Sequence, residues 1–101
     1  MTNEQFYEIT KWQKETFPAA TTNSKLSHLS DELKELKEAI KAGNSDMRLE
    51  FADCFLLLFG AAASEGLSYL DIVCAIDEKM VINRRRSWGK PDERGVVNHI
   101  K

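Results

Sequence analysis

Proline is nearly missing from this 101-residue sequence: Pro18 and Pro91 are the only two, and residues 19 to 90 contain none. Nothing in that stretch forces a helix to break, and its apolar positions recur at threes and fours rather than in alternation. Long apolar runs are also missing. The longest uncharged stretch, Cys54 to Ser64, has 11 residues, where a membrane span takes about 20. Met1-Thr-Asn-Glu-Gln-Phe6 has no basic segment followed by an apolar one, so no secretory signal is expected. Cysteine is limited to Cys54 and Cys74, both inside apolar helical patterns. They read as small packed hydrophobes in a reduced, cytoplasmic setting. No charge of one sign dominates, since 14 Lys and Arg face 16 Asp and Glu; the broad basic stripe of a duplex nucleic-acid binder is absent. No Glu has a His three residues on, which argues against a di-iron carboxylate bundle.

What is present reads as one all-α domain over residues 1–101, an antiparallel bundle of about four helices with an irregular C-terminal tail. A first helix is expected from about Asn3 to Thr16, closed by Phe17-Pro18, because proline disfavours helical geometry in the residue before it. A second runs from about Thr22 to Lys41 on the seam Leu26, Leu29, Leu33, Leu36 and Ile40. Gly43 offers a left-handed cap, and Asn44-Ser45-Asp46 supplies N-cap candidates for a third helix of about Asp46 to Ser64. That third helix is apolar almost all round from Phe51 to Ala63, so it must be covered on every side, more than a chain of this size can manage alone. Completion of the bundle by oligomerisation is therefore expected. Gly66 breaks the chain, Ser68 caps a fourth helix of about Tyr69 to Arg85, and residues 88–101 form the tail.

The charged residues are sorted along the chain. Residues 1–66 carry 7 basic and 11 acidic side chains, residues 67–101 carry 7 and 5. On the second helix His28, Glu32 and Glu35 share a stripe beside the leucine seam. Taken alone, the acids of this helix interleave with Lys34, Lys37 and Lys41 as ordinary surface pairs. The third helix shifts the balance, because Glu50 and Asp53 repeat the same spacing and Asp53 stands in the most apolar segment of the chain. A buried carboxylate there needs a partner, and Arg48 is off the stripe. A hairpin at Gly43 brings Glu32, Glu35, Glu50 and Asp53 together, and four carboxylates in one small volume call for a cation. All-oxygen donors suit Mg2+, with Mn2+ as substitute. On the fourth helix Lys79, Asn83 and Arg86 form a stripe that either complements the helix macrodipole or grips a polyphosphate bridged by that cation. Trp12, Phe17 and Trp88 are aromatics for stacking on a base or, more simply, for core packing.

The string Glu32-x-x-Glu35, 14 residues, Glu50-x-x-Asp53, followed by Lys79-x3-Asn83-x2-Arg86, resembles the MazG-like family of all-α nucleoside triphosphate pyrophosphohydrolases. Trp12-x4-Phe17-Pro18, His28-Leu29 and the tail Trp88-Gly-Lys-Pro-Asp-Glu-Arg-Gly-Val96 are similar to its short bacterial and phage members. Where the family pattern opens on two adjacent glutamates, this chain has Asp31, which points away from the stripe. The resemblance implies hydrolysis of a (deoxy)nucleoside triphosphate to monophosphate and pyrophosphate. It implies Mg2+ ligation by Glu32, Glu35, Glu50 and Asp53, with Lys79, Asn83 and Arg86 near the nucleotide and Trp12 and His28 on the base side. Glu35 is the expected catalytic base. A homodimer or homotetramer is implied as well. The competing reading is a non-catalytic helical adaptor or nucleotide-binding protein that uses the same faces as contact surface.

Overall fold

The computed structural model describes residues 1–43, 45 and 47–100. The order is α1 (Asn3–Thr16), α2 (Thr22–Lys41), α3 (Met47–Ser64), α4 (Tyr69–Arg85), β1 (Ser87–Trp88) and β2 (His99–Ile100). Helix ends fall where the sequence punctuates. Thr2 caps α1 in a capping box with Gln5, and Thr21 caps α2 in one with Ser24. Phe17, held before Pro18, leaves helical geometry and closes α1, its N–H donating to Gln13 O at 2.8 Å. Gly43 takes a φ of +68° after α2, and Gly66 one of +86° after α3, the left-handed region that glycine enters without steric cost. At the second turn Leu67 N–H donates to Ala62 O and Gly66 N–H to Ala63 O, the paired bonds of a Schellman stop. The proposed N-cap residues Asn44 and Asp46 lie outside the described residues. Among the described residues no single helix is long and apolar enough to cross a membrane.

The chain divides into two compact units, residues 1–70 and 71–101. In the first, α2 and α3 form the antiparallel hairpin and α1 packs on α3. The hairpin is clasped at its open end, where Thr22 Oγ1 donates to Glu65 Oε2 at 2.6 Å and lies 2.7 Å from Ser64 Oγ. Phe6 seals the other contact, with Phe59 and Tyr69 rings 5.8 and 5.7 Å from its own. The core is thin: only Phe6, Leu36 and Ala61 are buried apolar residues among those described. The leucine seam is therefore less covered than its spacing suggests, for Leu26, Leu33 and Ile40 remain exposed. α3 likewise leaves Phe51, Phe55 and Leu58 uncovered. α1 packs on α3 and leaves these apolar side chains of the hairpin exposed.

α3 also carries a close approach. Gln13 Nε2 donates to Leu56 O at 2.9 Å, and its Oε1 lies where a Cβ on Gly60 would come within 2.6 Å. Gly60→Ala would displace this amide, losing about 1 kcal/mol of hydrogen bonding against about 1 kcal/mol gained in helix propensity. Urea denaturation should find Gly60→Ala nearly neutral alone and stabilising by about 1 kcal/mol in a Gln13→Ala background. The same effect in both backgrounds would mean the amide is not held against Gly60.

The second unit holds most of α4 and the tail. Here the expectation of an irregular tail is corrected in part, because Ser87–Trp88 pairs antiparallel with His99–Ile100. Trp88 Nε1–H donates to Asn83 O at 3.0 Å and its ring meets His99 edge-on at 6.2 Å. The turn between the strands is closed by Asp92, whose carboxylate accepts from Arg94 N, Arg94 Nη2 and Val96 N. These donors, Val96 N–H foremost, hold the Asp92 carboxyl below the usual range.

Candidate active site

The hairpin sets the acids. With i,i+3 spacing on each helix of the hairpin, α2 presents Glu32 and Glu35 toward α3, and α3 returns Glu50. Carboxylate oxygens of these three residues lie within 4.8 Å of one another. Glu32 is half-buried, with 16% of its side chain exposed, and its Oε1 lies 3.2 Å from His28 Nε2. Its carboxyl is pushed above the ordinary range, first by burial, then by the charge of Glu35 and a hydrogen bond with it, then by Asp53; His28 pulls the other way. Burial and the same acids, Glu32, Asp53 and Glu50, raise the Cys54 thiol.

Asp53 departs from expectation. It is exposed rather than buried, and it stands outside the three-residue group while remaining close enough to act on Glu32. The apolar neighbours of Asp53 in sequence point to other sides of α3, and its own side opens onto a cavity. Cys74 is likewise exposed, while Cys54 is half-buried; both are free.

The cavity has a volume of about 410 Å3, within the range of small-ligand pockets. Glu32 and Asp53 line one part of it, Leu56 and Leu57 its α3 side, and Ser24, Lys25 and His28 its α2 side. Trp12, Gln13, Phe17 and Ala20 complete it. Core packing is thus overturned for Trp12 and Phe17: they are 58% and 54% exposed, stand edge-on at 5.6 Å, and face the cavity. Of the residues singled out from sequence, Trp12, His28, Glu32 and Asp53 share this cavity, and Glu35 and Glu50 join Glu32. Lys79 and Asn83 lie on α4 in the second unit, Lys79 exposed and Asn83 half-buried. Arg86 falls one residue beyond α4, its N–H on Asn83 O at 3.3 Å, so the expected three-residue helical stripe ends at Asn83. Trp88 is 45% exposed and braces the tail rather than a core. Sequence reasoning missed Gln13, Ser24 and Lys25, which look like solvated polar residues until α1 is laid across α3.

The sequence model of the dATP/dGTP pyrophosphohydrolase family matches residues 6–101. A protein of Salmonella phage PMBT28 named dATP/dGTP diphosphohydrolase is 36% identical over 94 residues, 91% of this chain and 29% of its own length. The chain therefore spans less than a third of that relative. A dATP/dGTP diphosphohydrolase of Cyanophage S-2L is 32% identical over 93 residues, 92% of this chain and 82% of the relative. Among solved structures, the Cyanophage S-2L MazG-like pyrophosphohydrolase bound to dGDP and three catalytic Mn2+ ions per active site superposes with a TM-score of 0.79 at 29% identity, over 100% of this chain and 99% of that one.

Proposed function

The chain belongs to the dATP/dGTP pyrophosphohydrolase family, and on that premise we propose that residues 1–101 act as one domain that converts dATP and dGTP to the monophosphate and pyrophosphate with Mg2+ or Mn2+. The observation that carries the reading is the meeting of Glu32, Glu35 and Glu50 oxygens within 4.8 Å beside a cavity walled by Trp12 and His28. The donor set fits the cation: it is all oxygen, suited to a hard divalent ion, and no Lys or Arg among the described residues pairs with the three acids. When bound, the cation would offset charge at the attacked phosphorus and acidify a water.

The chain's own residues would do the rest. Glu32, Glu35, Glu50 and Asp53 would hold the cation, whose positive charge would offset that of the triphosphate beside the acids. Glu35, exposed and free to reach solvent, orients the water and takes its proton. The water oxygen bonds to phosphorus, the α–β anhydride bond breaks, and pyrophosphate leaves. Trp12 and Phe17 offer ring faces and edges to the base, and His28 lies between base and phosphate along α2. Lys79, Asn83 and Arg86 are assigned to the nucleotide or its phosphates by their match to the family pattern. A homodimer or homotetramer would cover Phe51, Phe55, Leu58 and the open leucine seam. A cytoplasmic setting goes with a nucleotide substrate.

The test is pyrophosphate release from a panel of dNTPs with and without Mg2+ or Mn2+, on protein whose mass in solution is measured alongside. Turnover of dATP and dGTP that EDTA abolishes is expected, from a particle at least twice the 11.5 kDa chain. Nucleotide-induced stabilisation without turnover would favour the non-catalytic reading, and a monomer with full activity would remove the oligomer.

A further inference from the structure

We propose that Lys25 reads the base, its ammonium group donating to the N7 and O6 edge of the purine and so selecting purines over pyrimidines. The inference rests on the pyrophosphohydrolase reading and adds a specificity-determining residue to it. Lys25 is half-buried. It lines both the 410 Å3 cavity and a second one of about 790 Å3, and so forms part of the wall between them. Its Nζ makes one hydrogen bond, at 3.3 Å, to Gly60 O. Among the described residues no carboxylate pairs with it. An ammonium carries three protons, and one bond of 3.3 Å to a carbonyl leaves the others able to donate to a ligand in the cavity that Lys25 lines. The wall is set to receive an acceptor from a ligand.

Position says which part of the ligand arrives there. On α2 Lys25 stands seven residues before Glu32 and ten before Glu35, about 10 to 15 Å along the axis. With the triphosphate at the acids, the sugar lies over the intervening turns and the base reaches the end formed by Trp12, Phe17 and Lys25. Adenine and guanine share N7 as an acceptor, guanine adds O6 beside it, and cytosine and thymine have no counterpart to N7. A lysine at that end therefore accounts for acceptance of both purines by one cavity and predicts a stronger hold on guanine.

The experiment compares kcat/KM for dGTP, dATP, 7-deaza-dGTP and 7-deaza-dATP in the native protein, Lys25→Met and Lys25→Arg. The native protein should lose about tenfold or more on each 7-deaza analogue. Lys25→Met should be slowed by about tenfold or more, further on dGTP than on dATP, and be indifferent to the 7-deaza change, and Lys25→Arg should restore the difference. A native protein equally fast with the analogues overturns the proposal, and that comparison stands even where Lys25→Met does not fold. So does a Lys25→Met variant slowed by one common factor on parents and analogues, the signature of a phosphate contact. Failure of the native protein to hydrolyse any dNTP is a separate result that removes the pyrophosphohydrolase reading and this inference with it.

Discussion

Glu35→Gln should cut metal-dependent pyrophosphate release from dATP and dGTP by about three orders of magnitude or more, with little effect on the fold. The size follows from two losses at one position. The amide cannot accept the proton of the attacking water, a contribution of about 10²–10⁴ in rate. It also removes one charged oxygen from the group that Glu32 and Glu50 complete within 4.8 Å. Stability should survive because Glu35 is exposed and takes part in no ion pair among the described residues. Removing its charge also relieves repulsion on Glu32. The assay is initial-rate pyrophosphate release at saturating Mn2+, with circular dichroism on the same sample. A variant retaining a tenth of the native rate would transfer the role of base to another acid of the cluster.

Much of this geometry follows from short-range chemistry. Gly43 and Gly66 stop helices because their positive φ is cheap only for glycine, and Pro18 stops one through the residue before it. Given those stops, the i,i+3 spacing of Glu32 with Glu35 and of Glu50 with Asp53 fixes which sides of α2 and α3 carry acid. What the pattern could not supply is the packing of α1 on the hairpin. α1 meets α3 through Gln13 and the bare Cα of Gly60, a contact with no periodic signature. That packing turns Trp12 and Phe17 from presumed core into cavity wall, leaves Asp53 open, and brings Lys25 to the far end of the cavity. α3 was legible only in part: apolar on all sides, it announces incomplete cover but names no partner face, so that Phe55 and Leu58 are among the exposed residues emerges only once its neighbours are placed. Two-residue strands are too short for alternation to show, and the Ser87–Ile100 pairing was illegible for that reason.

Glu32→Gln should separate the two jobs of the acid cluster, raising the melting temperature of the metal-free protein and abolishing its response to metal. The Glu32 carboxyl titrates above its ordinary value in the fold because burial, Glu35 and Asp53 all oppose its charge. A raised folded pKa means that this group's contribution to stability is fully present below the unfolded pKa and is lost as pH rises through the folded one. Above that folded pKa and without metal, the native protein therefore holds a charge the fold resists, and glutamine, shaped like the protonated acid, does not. The advantage of the variant should shrink as pH falls toward the range where native Glu32 is protonated. Metal should invert the order. A cation held by the native cluster at a hundred times its dissociation constant adds about 2.7 kcal/mol, a rise of about 10 °C or more for a domain of this size. That gain should grow with pH, since the cation competes with the proton for Glu32, and the variant, one anionic ligand short, should show little of it. Thermal melts of both proteins at pH 5.5 and 7.5, with EDTA or Mn2+, decide the matter. Were the metal-free variant to melt below the native protein at pH 7.5 while keeping the full Mn2+ shift, Glu32 would be a structural acid bonded to His28 and no part of the metal centre.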